Sequence, residues 1–152
     1  MTNPSDTTKP TDTSAAGTPT TDTAAVVPML YYEDVVAAAR WLGEVFGLET
    51  TAEHPGPDGT VVGVEMRIGA GRVMLLGSPE DAELGMTSPR TAGRATGGVY
   101  VALDDPAVHH AAAKDAGATI VLPLREMAYD SVEYGALDLE GHYWGFGTYR
   151  LT

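Results

Sequence analysis

The chain has 152 residues, enough for one domain of ordinary size, and its 43% hydrophobic and 20% charged residues are typical of a globular protein. It contains no cysteine, which excludes a disulfide framework, a thiolate nucleophile and cysteine-ligated zinc. The net charge of -12 argues against nucleic acid as a partner, because nucleic-acid binding needs Lys and Arg against phosphate.

Residues 1–24 are rich in Thr and Pro and contain no Val, Ile, Leu or aromatic residue. Such a segment has little to bury, so we predict a disordered tail before a folded domain at residues 25–152. No segment approaches the roughly 18 apolar residues of a membrane helix, and the N-terminus lacks the layout of a secretory signal. We therefore expect a cytoplasmic protein without a membrane partner.

The domain begins with an apolar and aromatic run over residues 26–32, which predicts a strand. Asp34 is a favourable N-cap, and the apolar stripe that follows predicts a helix ending at Gly47. Turns rich in Gly and Pro then separate three predicted strands, at residues 48–54, 61–68 and 72–76.

Residues 78–96 form a long connection, which we interpret as a linker or a functional flap. The pattern then restarts with a strand over residues 97–103. Asp104 or Asp105 caps a second helix, with Pro106 in the first position, where proline is favoured. This helix stops at Gly117, and three more strands are predicted at residues 119–122, 131–137 and 142–149.

Each half of the domain reads strand–helix–strand–strand–strand, with modules at about residues 26–77 and 97–150. This internal repeat predicts an α+β fold in which two βαβββ modules form a concave mixed sheet, with the helices packed outside. The cleft over the concave face is the default binding site.

Several motifs resemble those of the vicinal oxygen chelate superfamily, which includes glyoxalase I, the extradiol dioxygenases and the bleomycin resistance proteins. They are the strand–Asp–helix–Gly start of each module, P-x-L-x-Y-x-D, W-L-x-x-x-F-G-L-E, G-A-T-I and the ending D-x-E-G-H-x-W-x-F-G-T-Y. The resemblance covers residues 26–151 and is greatest to the single-domain glyoxalase/bleomycin-resistance-like subgroup. It implies the fold but does not select a function, because one fold hosts many chemistries.

Enzymes of that superfamily usually hold a divalent metal with His and Glu side chains from the first and last strands of each module. Carried over by resemblance, the ligand positions are Val27 or Pro28, Leu75 or Met74, Gly98, and Gly145. None of these residues has a side chain that binds zinc or a harder ion. The resemblance therefore implies a member without a metal cofactor, and we do not expect metal-dependent glyoxalase or dioxygenase activity.

His142 begins the last predicted strand. Side chains alternate along a strand, so Gly145 on the concave face places Tyr143 there too and directs His142, Trp144 and Phe146 toward the helices. We therefore interpret His142 as a structural residue that is hydrogen-bonded near the turn, and Trp144 and Phe146 as core.

A set of mainly tyrosine, methionine and glycine residues is predicted to line the cleft and bind ligand. Its members are Met29, Tyr31, Met66, Gly98, Tyr100, Tyr129, Tyr134, Tyr143 and Gly145. Tyrosine offers a stacking face and one hydrogen-bonding group, methionine adapts to irregular shapes, and glycine lets a flat ligand approach the backbone. The lining favours a planar or aromatic small molecule, although the same residues could fill an ordinary core.

Other polar residues are weaker candidates. Adjacent residues on a helix point about 100° apart, so we expect His109 and His110 on the surface rather than on one metal. Glu65 could act as a general base. Charged residues near the cleft would select the charge of the ligand. A cationic ligand would meet Glu126, Asp130 and Glu133, and an anionic ligand would meet Arg90 and Arg94.

Three functions stay open. The preferred one is a metal-free, homodimeric protein of bleomycin-resistance type that sequesters an aromatic or antibiotic-like molecule. The second is a metal-independent isomerase, cyclase or lyase of natural-product metabolism, with Tyr or Glu as acid and base. The third is a metal enzyme whose donors would be His54, Glu65, Glu140 and His142.

Overall fold

The structure, a computed structural model, describes residues 25–77 and 84–152. The predicted tail and residues 78–83 of the predicted flap lie outside the described residues. The elements in chain order are β1 (Met29–Tyr31), α1 (Val35–Phe46), β2 (Glu49–Pro55), β3 (Val61–Ile68), β4 (Gly71–Leu76), α2 (Pro89–Ala92), β5 (Gly98–Ala102), α3 (Pro106–Asp115), β6 (Thr119–Met127), β7 (Ser131–Leu137) and β8 (Tyr143–Gly147).

The strands form two four-stranded mixed sheets, sheet A in the order β1-β4-β3-β2 and sheet B in the order β5-β8-β7-β6. In each sheet the first strand of the module pairs in parallel with the last, and the other pairs are antiparallel. The parallel pairs of the two sheets have equivalent registers: Met29 of β1 pairs with Met74 of β4, and Tyr100 of β5 pairs with Gly145 of β8. The predicted α+β class and its two βαβββ modules are confirmed.

Both long helices begin where the capping residues predict. Asp34 accepts a hydrogen bond from the Ala37 amide at 2.9 Å, and Asp105 accepts one from the Val108 amide at 3.0 Å. Helix α1 ends at Gly47, which has a φ of 77°, the left-handed conformation that glycine adopts at low cost.

Strand β6 continues to Met127, well past the predicted end at residue 122. Pro123 lies within the strand, although proline cannot donate to a ladder. Since β6 is the edge strand of sheet B and its pairing with β7 shifts register around Pro123, the missing donor costs no regular ladder bond. Proline is tolerated at such positions.

One hydrophobic core serves both modules and lies between the sheets and helices α1 and α3. The Phe46 ring of α1 lies 4.9 Å from that of Phe146 and 5.8 Å from that of Trp144, both on β8. Helix α1 of the first module therefore packs into the second module, and the sheet faces opposite this core are left to carry the candidate sites.

Candidate functional site

The four positions implied for metal ligands hold no donors on either sheet. We call the face of each sheet that points away from the core and the helices its outer face. Met74 pairs with the exposed Met29 on the outer face of sheet A, whereas Leu75 is fully buried in the core. Met74 is therefore the position that corresponds to Gly145. A thioether and two glycines do not form a site for zinc or a harder divalent ion. Within residues 25–77 and 84–152, no three His, Cys, Asp or Glu side chains come together as a metal site.

The D-x-E-G-H ending joins the two modules. Asp138 accepts hydrogen bonds from the Tyr32 hydroxyl at 2.6 Å and from the Trp144 indole at 3.0 Å. Glu140 accepts the backbone N–H groups of residues 33 and 34 at 2.8 and 3.0 Å. Burial, and then the Asp138 charge, raise the pKa of the Tyr32 hydroxyl well above its usual range. Both carboxylates are thus used within the fold.

His142 completes this junction. Its Nε2 lies 2.8 Å from the Tyr31 carbonyl oxygen, which only accepts, so Nε2 is the donor. Its ring packs at 4.7 Å against Tyr32. His142 thus has the hydrogen bond near the turn that the sequence predicts, although it also lines a surface cavity. Trp144 and Phe146 are buried in the core, as predicted.

The outer face of sheet B carries the tyrosines. Residues that alternate with the buried Tyr134, Ala136, Trp144 and Phe146 lie on the opposite face of β7 and β8. This face, which we call the tyrosine face, is formed by Gly98, Tyr100, Ser131, Glu133, Gly135, Tyr143, Gly145 and Gly147, with Tyr129 beside them on the β6–β7 turn.

The glycines of the tyrosine face lie under side chains of the same face. A Cβ at Gly135 would lie 2.5 Å from the Tyr143 hydroxyl oxygen, and one at Gly147 would lie 2.6 Å from that of Tyr100. Glycine at these positions lets the two tyrosines lie close to the sheet. At the two predicted glycines, Gly98 and Gly145, a Cβ would lie 2.7 Å from the Tyr143 ring and 3.2 Å from the Tyr100 ring. Tyrosine rings therefore occupy the space that was predicted to admit a flat ligand to the backbone.

Glu133 lies on the tyrosine face opposite Gly147, the last residue of β8, and is only 8% exposed. The Tyr129 hydroxyl donates to its Oε2 at 3.1 Å, and the Tyr100 hydroxyl donates to its Oε1 at 3.5 Å. Desolvation raises the pKa of Tyr100, Tyr129 and Tyr143, and the Glu133 charge adds to the rise at each. The sequence analysis placed Glu133 only near the rim of the cleft. Glu133 directly precedes Tyr134 on the same strand, so the two side chains point to opposite faces of the sheet, and this alternation was the signal that could have placed Glu133 on the tyrosine face.

Two predicted cleft residues lie elsewhere. Met66 and Tyr134 are 1% and 0% exposed and belong to the core on the helix side of their sheets, because the alternation of β3 and β7 turns them inward. Tyr134 contacts His109, which was predicted to lie on the surface and is instead half-buried. His109 Nε2 bonds the Phe46 carbonyl at 2.9 Å and Nδ1 bonds the Tyr134 hydroxyl at 2.6 Å.

Some of the other predicted residues border surface cavities. Met29, Tyr31 and Gly98 line one of about 490 Å³ between β1 and β5, which His142 and residues 85–97 also border. Tyr100 lines a second of about 500 Å³ at the opposite end of these strands. Gly145 and Tyr143 lie on the tyrosine face, so the predicted set does not form a single pocket.

Sheet A carries a second polar pair on its outer face. His54 Nε2 lies 2.8 Å from Glu65 Oε1, and both side chains are about half exposed. Of the four donors of the metal-enzyme alternative, only these two come together, because His142 and Glu140 bind backbone at the module junction. Two exposed donors are fewer than the three protein ligands of catalytic zinc sites.

Residues 84–96 of the predicted flap dock on Glu33. Its carboxylate accepts hydrogen bonds from the hydroxyls of Thr91 and Ser88 and pairs with Arg90 at 3.5 Å. The bond from Thr91, more than any other interaction, lowers the pKa of Glu33. Arg90 also donates to the Leu139 carbonyl at 3.2 Å, so it is bound to the protein rather than free for an anionic ligand.

No helix in the described ranges is long and apolar enough to cross a membrane.

The model of one family, the Glyoxalase/Bleomycin resistance protein/Dioxygenase superfamily, matches residues 24–146. Uncharacterized proteins of Mycobacterium bovis and Mycobacterium tuberculosis are 27% identical over 125 residues, which cover 81% of this chain and 82% and 73% of theirs.

Solved structures share the fold. TioX from Micromonospora sp. ML1 has a TM-score of 0.66 and 29% identity, over 85% of this chain and 98% of that one. A protein of unknown function from Agrobacterium tumefaciens has a TM-score of 0.64 at 16% identity, over 81% and 91% of the two chains. A glyoxalase/bleomycin resistance protein/dioxygenase family enzyme from Burkholderia phytofirmans has a TM-score of 0.62 at 17% identity, over 78% and 93%.

Proposed function

We propose that this chain, which belongs to the Glyoxalase/Bleomycin resistance protein/Dioxygenase superfamily, binds and sequesters a small aromatic, antibiotic-like molecule without a metal. The observation that carries the proposal is the tyrosine face. Tyr100 and Tyr129 are 43% and 53% exposed there, whereas the large aromatic residues of the core are fully buried. Exposed rings beside a buried polar group are what a site for a planar molecule needs, because stacking supplies affinity and the polar group fixes orientation.

The residues at the implied metal positions support a metal-free site. Val27, Met74, Gly98 and Gly145 provide no ligand for a divalent ion, so the proposal includes no step that passes through a metal. The exposed apolar side chains on the outer sheet faces support a homodimer as the functional form, and the proposal places it in the cytoplasm. Sedimentation equilibrium tests the oligomeric state separately from ligand binding.

A metal-independent enzyme is the second candidate, and a specific observation favours it. Two tyrosine hydroxyls lie within hydrogen-bonding distance of the Glu133 carboxylate. A carboxylate beside phenols is a plausible acid–base set for an isomerase, cyclase or lyase, since one group accepts a proton while another donates one. The binder and the enzyme differ in the fate of the bound molecule.

A thermal-shift screen tests the proposal. Untagged, dialysed protein is mixed with planar aromatic antibiotics and, separately, with Zn²⁺, Ni²⁺ and Mn²⁺. A ligand at 100 times its Kd adds about 2.7 kcal/mol to the free energy of unfolding, which gives a measurable rise in Tm. We expect a rise with at least one antibiotic, none with the metals, and loss of the rise in Tyr129→Ala but not in Val108→Ala, an exposed position on α3.

Recovery of the bound molecule separates the two candidates. An unchanged molecule supports sequestration. A converted molecule, with conversion lost in Glu133→Gln, supports the enzyme instead. A large metal-dependent rise in Tm would contradict the metal-free site, and a rise that survives Tyr129→Ala would move the binding site away from the tyrosine face.

A further inference from the structure

The Glu133 carboxylate is buried without a cationic partner. Its residue is 8% exposed, and among residues 25–77 and 84–152 no Lys, Arg or His nitrogen lies within 4.0 Å of it. Two other acidic residues are buried to a similar degree, Asp138 and Glu140. Asp138 has no cation within 4.0 Å among the described residues, but it accepts four hydrogen bonds of 2.6 to 3.1 Å. Glu140 accepts two backbone N–H groups and lies 3.9 Å from Arg90. Glu133 is therefore the least compensated of these three buried carboxylates.

One oxygen of the Glu133 carboxylate, Oε1, can accept further hydrogen bonds. Oε2 accepts from Tyr129 at 3.1 Å, but the contact of Oε1 with Tyr100 is 3.5 Å, at the outer limit of a hydrogen bond. An ionised carboxylate accepts about four hydrogen bonds in total. Because burial removes water from such a group, an added cation at Oε1 would recover free energy that desolvation costs.

Among the described residues, Arg125 is the cation nearest to Glu133 by strand register. It lies opposite Glu133 on the edge strand β6 but its side chain is exposed and forms no ion pair with the carboxylate. The position beside Glu133 is thus not taken by the chain's own guanidinium group.

The walls around Glu133 suit an organic cation better than a hydrated metal ion. The rings of Tyr100 and Tyr129 are exposed next to the carboxylate, and the Tyr149 ring packs edge-on against Tyr129 at 5.8 Å. Aromatic faces attract ammonium and guanidinium groups, more strongly where water is excluded. A metal ion would not find a set of three His, Cys, Asp or Glu side chains around Glu133, since the described residues hold no such group.

We propose that Glu133, with the rings of Tyr100 and Tyr129, binds an organic cation, so that the aromatic ligand carries a protonated amine, quaternary ammonium or amidinium group. This inference rests on the proposed function and specifies the chemical class of its ligand. The net charge of -12 acts in the same direction, because it attracts cations to the whole molecule.

Two probes of similar shape test the charge requirement. N-Methylquinolinium is a permanent cation, and quinoline is neutral at pH 8. Their affinities are measured by calorimetric titration at two salt concentrations, with 1-naphthoate as an anionic comparison. We expect the cation to bind about tenfold more tightly than quinoline and the anion to bind more weakly than either, since tenfold corresponds to about 1.4 kcal/mol, the scale of one partly desolvated cation–aromatic contact.

Matched variants assign the effect to Glu133. Glu133→Gln keeps the side-chain shape and should remove the preference for the cation while changing quinoline affinity less than about twofold. Glu53→Gln, on the exposed strand β2, makes the same change in net charge and should leave both affinities unchanged. Arg125→Gln should strengthen binding of the cation, because it removes the nearest competing charge.

A variant at the exposed ring guards against a folding defect in Glu133→Gln. Tyr129→Leu removes the aromatic face at a 53% exposed position and should weaken binding of the cation more than Tyr129→Phe does. Equal affinities for the cation and quinoline in the unmodified protein would overturn the inference and leave the proposed function intact. A thermal response to Mg²⁺ or Ca²⁺ that Glu133→Gln abolishes would also overturn the inference. Failure of N-methylquinolinium to bind at millimolar concentration would overturn it as well. Failure of the antibiotic screen would instead count against the proposed function.

Discussion

Gly98 shows how a single residue in this fold has two possible meanings. Its position resembles a metal-ligand position, and its lack of a side chain also resembles an opening for a ligand. In the structure it pairs in parallel with Tyr143, whose ring and carbonyl oxygen occupy the space where a side chain would begin. The glycine is thus required by packing within sheet B.

Gly98→Ala is expected to destabilise the protein. The added Cβ would lie 2.7 Å from Tyr143 Cδ1 and 2.9 Å from the Tyr143 carbonyl oxygen, and the backbone atom cannot move without disturbing the β5–β8 pairing. Overpacking of this kind costs about 1–3 kcal/mol. Gly97→Ala is the control, because a Cβ there meets no atom within 4 Å. Urea unfolding of both variants checks this, and equal stability of the two would contradict it.

The His109–Tyr134 pair predicts a coupling between two residues. Because the Phe46 carbonyl only accepts, His109 Nε2 carries the proton, and Nδ1 accepts from the buried Tyr134 hydroxyl. His109→Phe should therefore leave that hydroxyl unpaired, at a cost of about 1–3 kcal/mol. Tyr134→Phe in the same chain removes the unpaired group, so the double variant should be more stable than His109→Phe alone. Additive losses in a double-mutant cycle would show that the two side chains act independently.

At the scale of elements, the parts that the sequence predicted well are those fixed by local chemistry. Helix α1 is capped by Asp34 and Gly47 as predicted, because a capping carboxylate and a left-handed glycine act within a few residues. Strand β6 was predicted too short. It continues through Pro123 because it lies at a sheet edge, where proline is tolerated, and that position is not a local property of the sequence.

The docking of residues 84–96 on Glu33 predicts a pH-dependent contribution to stability. The hydroxyl of Thr91 bonds the ionised carboxylate and lowers its pKa from the ordinary value of 4.5. A depressed carboxyl pKa stabilises the folded state above the pKa of the unfolded chain, and this contribution is lost as the pH falls through the folded-state pKa.

Glu33→Gln provides the measurement. The Tm of the unmodified protein should exceed that of the variant at pH 7, and the difference should shrink as the pH falls below 4.5, where the protonated carboxyl comes to resemble the amide. Glu53→Gln, on the exposed strand β2, should show no such pH-dependent difference. A difference between Glu33→Gln and the unmodified protein that persists unchanged at pH 3 would mean that packing, rather than charge, holds this segment.

At the scale of the whole molecule, the family and the fold were accessible from sequence but the arrangement of the site was not. The D-x-E-G-H motif was recognised, yet its residues serve contacts to Tyr31, Tyr32 and the start of α1, which lie more than 100 positions away. Alternation placed Tyr100 and Tyr143 correctly on one face of sheet B. Tyr134 was misplaced, because β7 turns it toward the core. The Tyr100–Glu133–Tyr129 grouping depends on strand pairing, which a single sequence does not reveal.

The outer sheet faces predict how copies of the chain associate. The contacts between the modules run through α1, α3 and the turn at residues 138–142, which leaves Met29 on β1 47% exposed and Tyr129 53% exposed. Apolar surface of this kind is commonly covered in an oligomer. Two copies with a net charge of -12 each repel one another, so association should strengthen as salt screens that repulsion.

Sedimentation equilibrium should therefore give twice the chain mass of 15.9 kDa, with tighter association at higher salt. Met29→Glu places a charge on the outer face of sheet A and should shift the protein toward monomer, because an unpaired charge buried in an interface is costly. Val108→Glu adds the same charge at a 67% exposed position on α3 and should leave the dimer intact. A monomer at all concentrations would remove the homodimer from the proposed function, whereas dissociation by Val108→Glu alone would place the interface on the helices. If only Met29→Glu dissociates the dimer, the outer sheet faces form the interface, and the ligand of the tyrosine face would bind next to the second subunit.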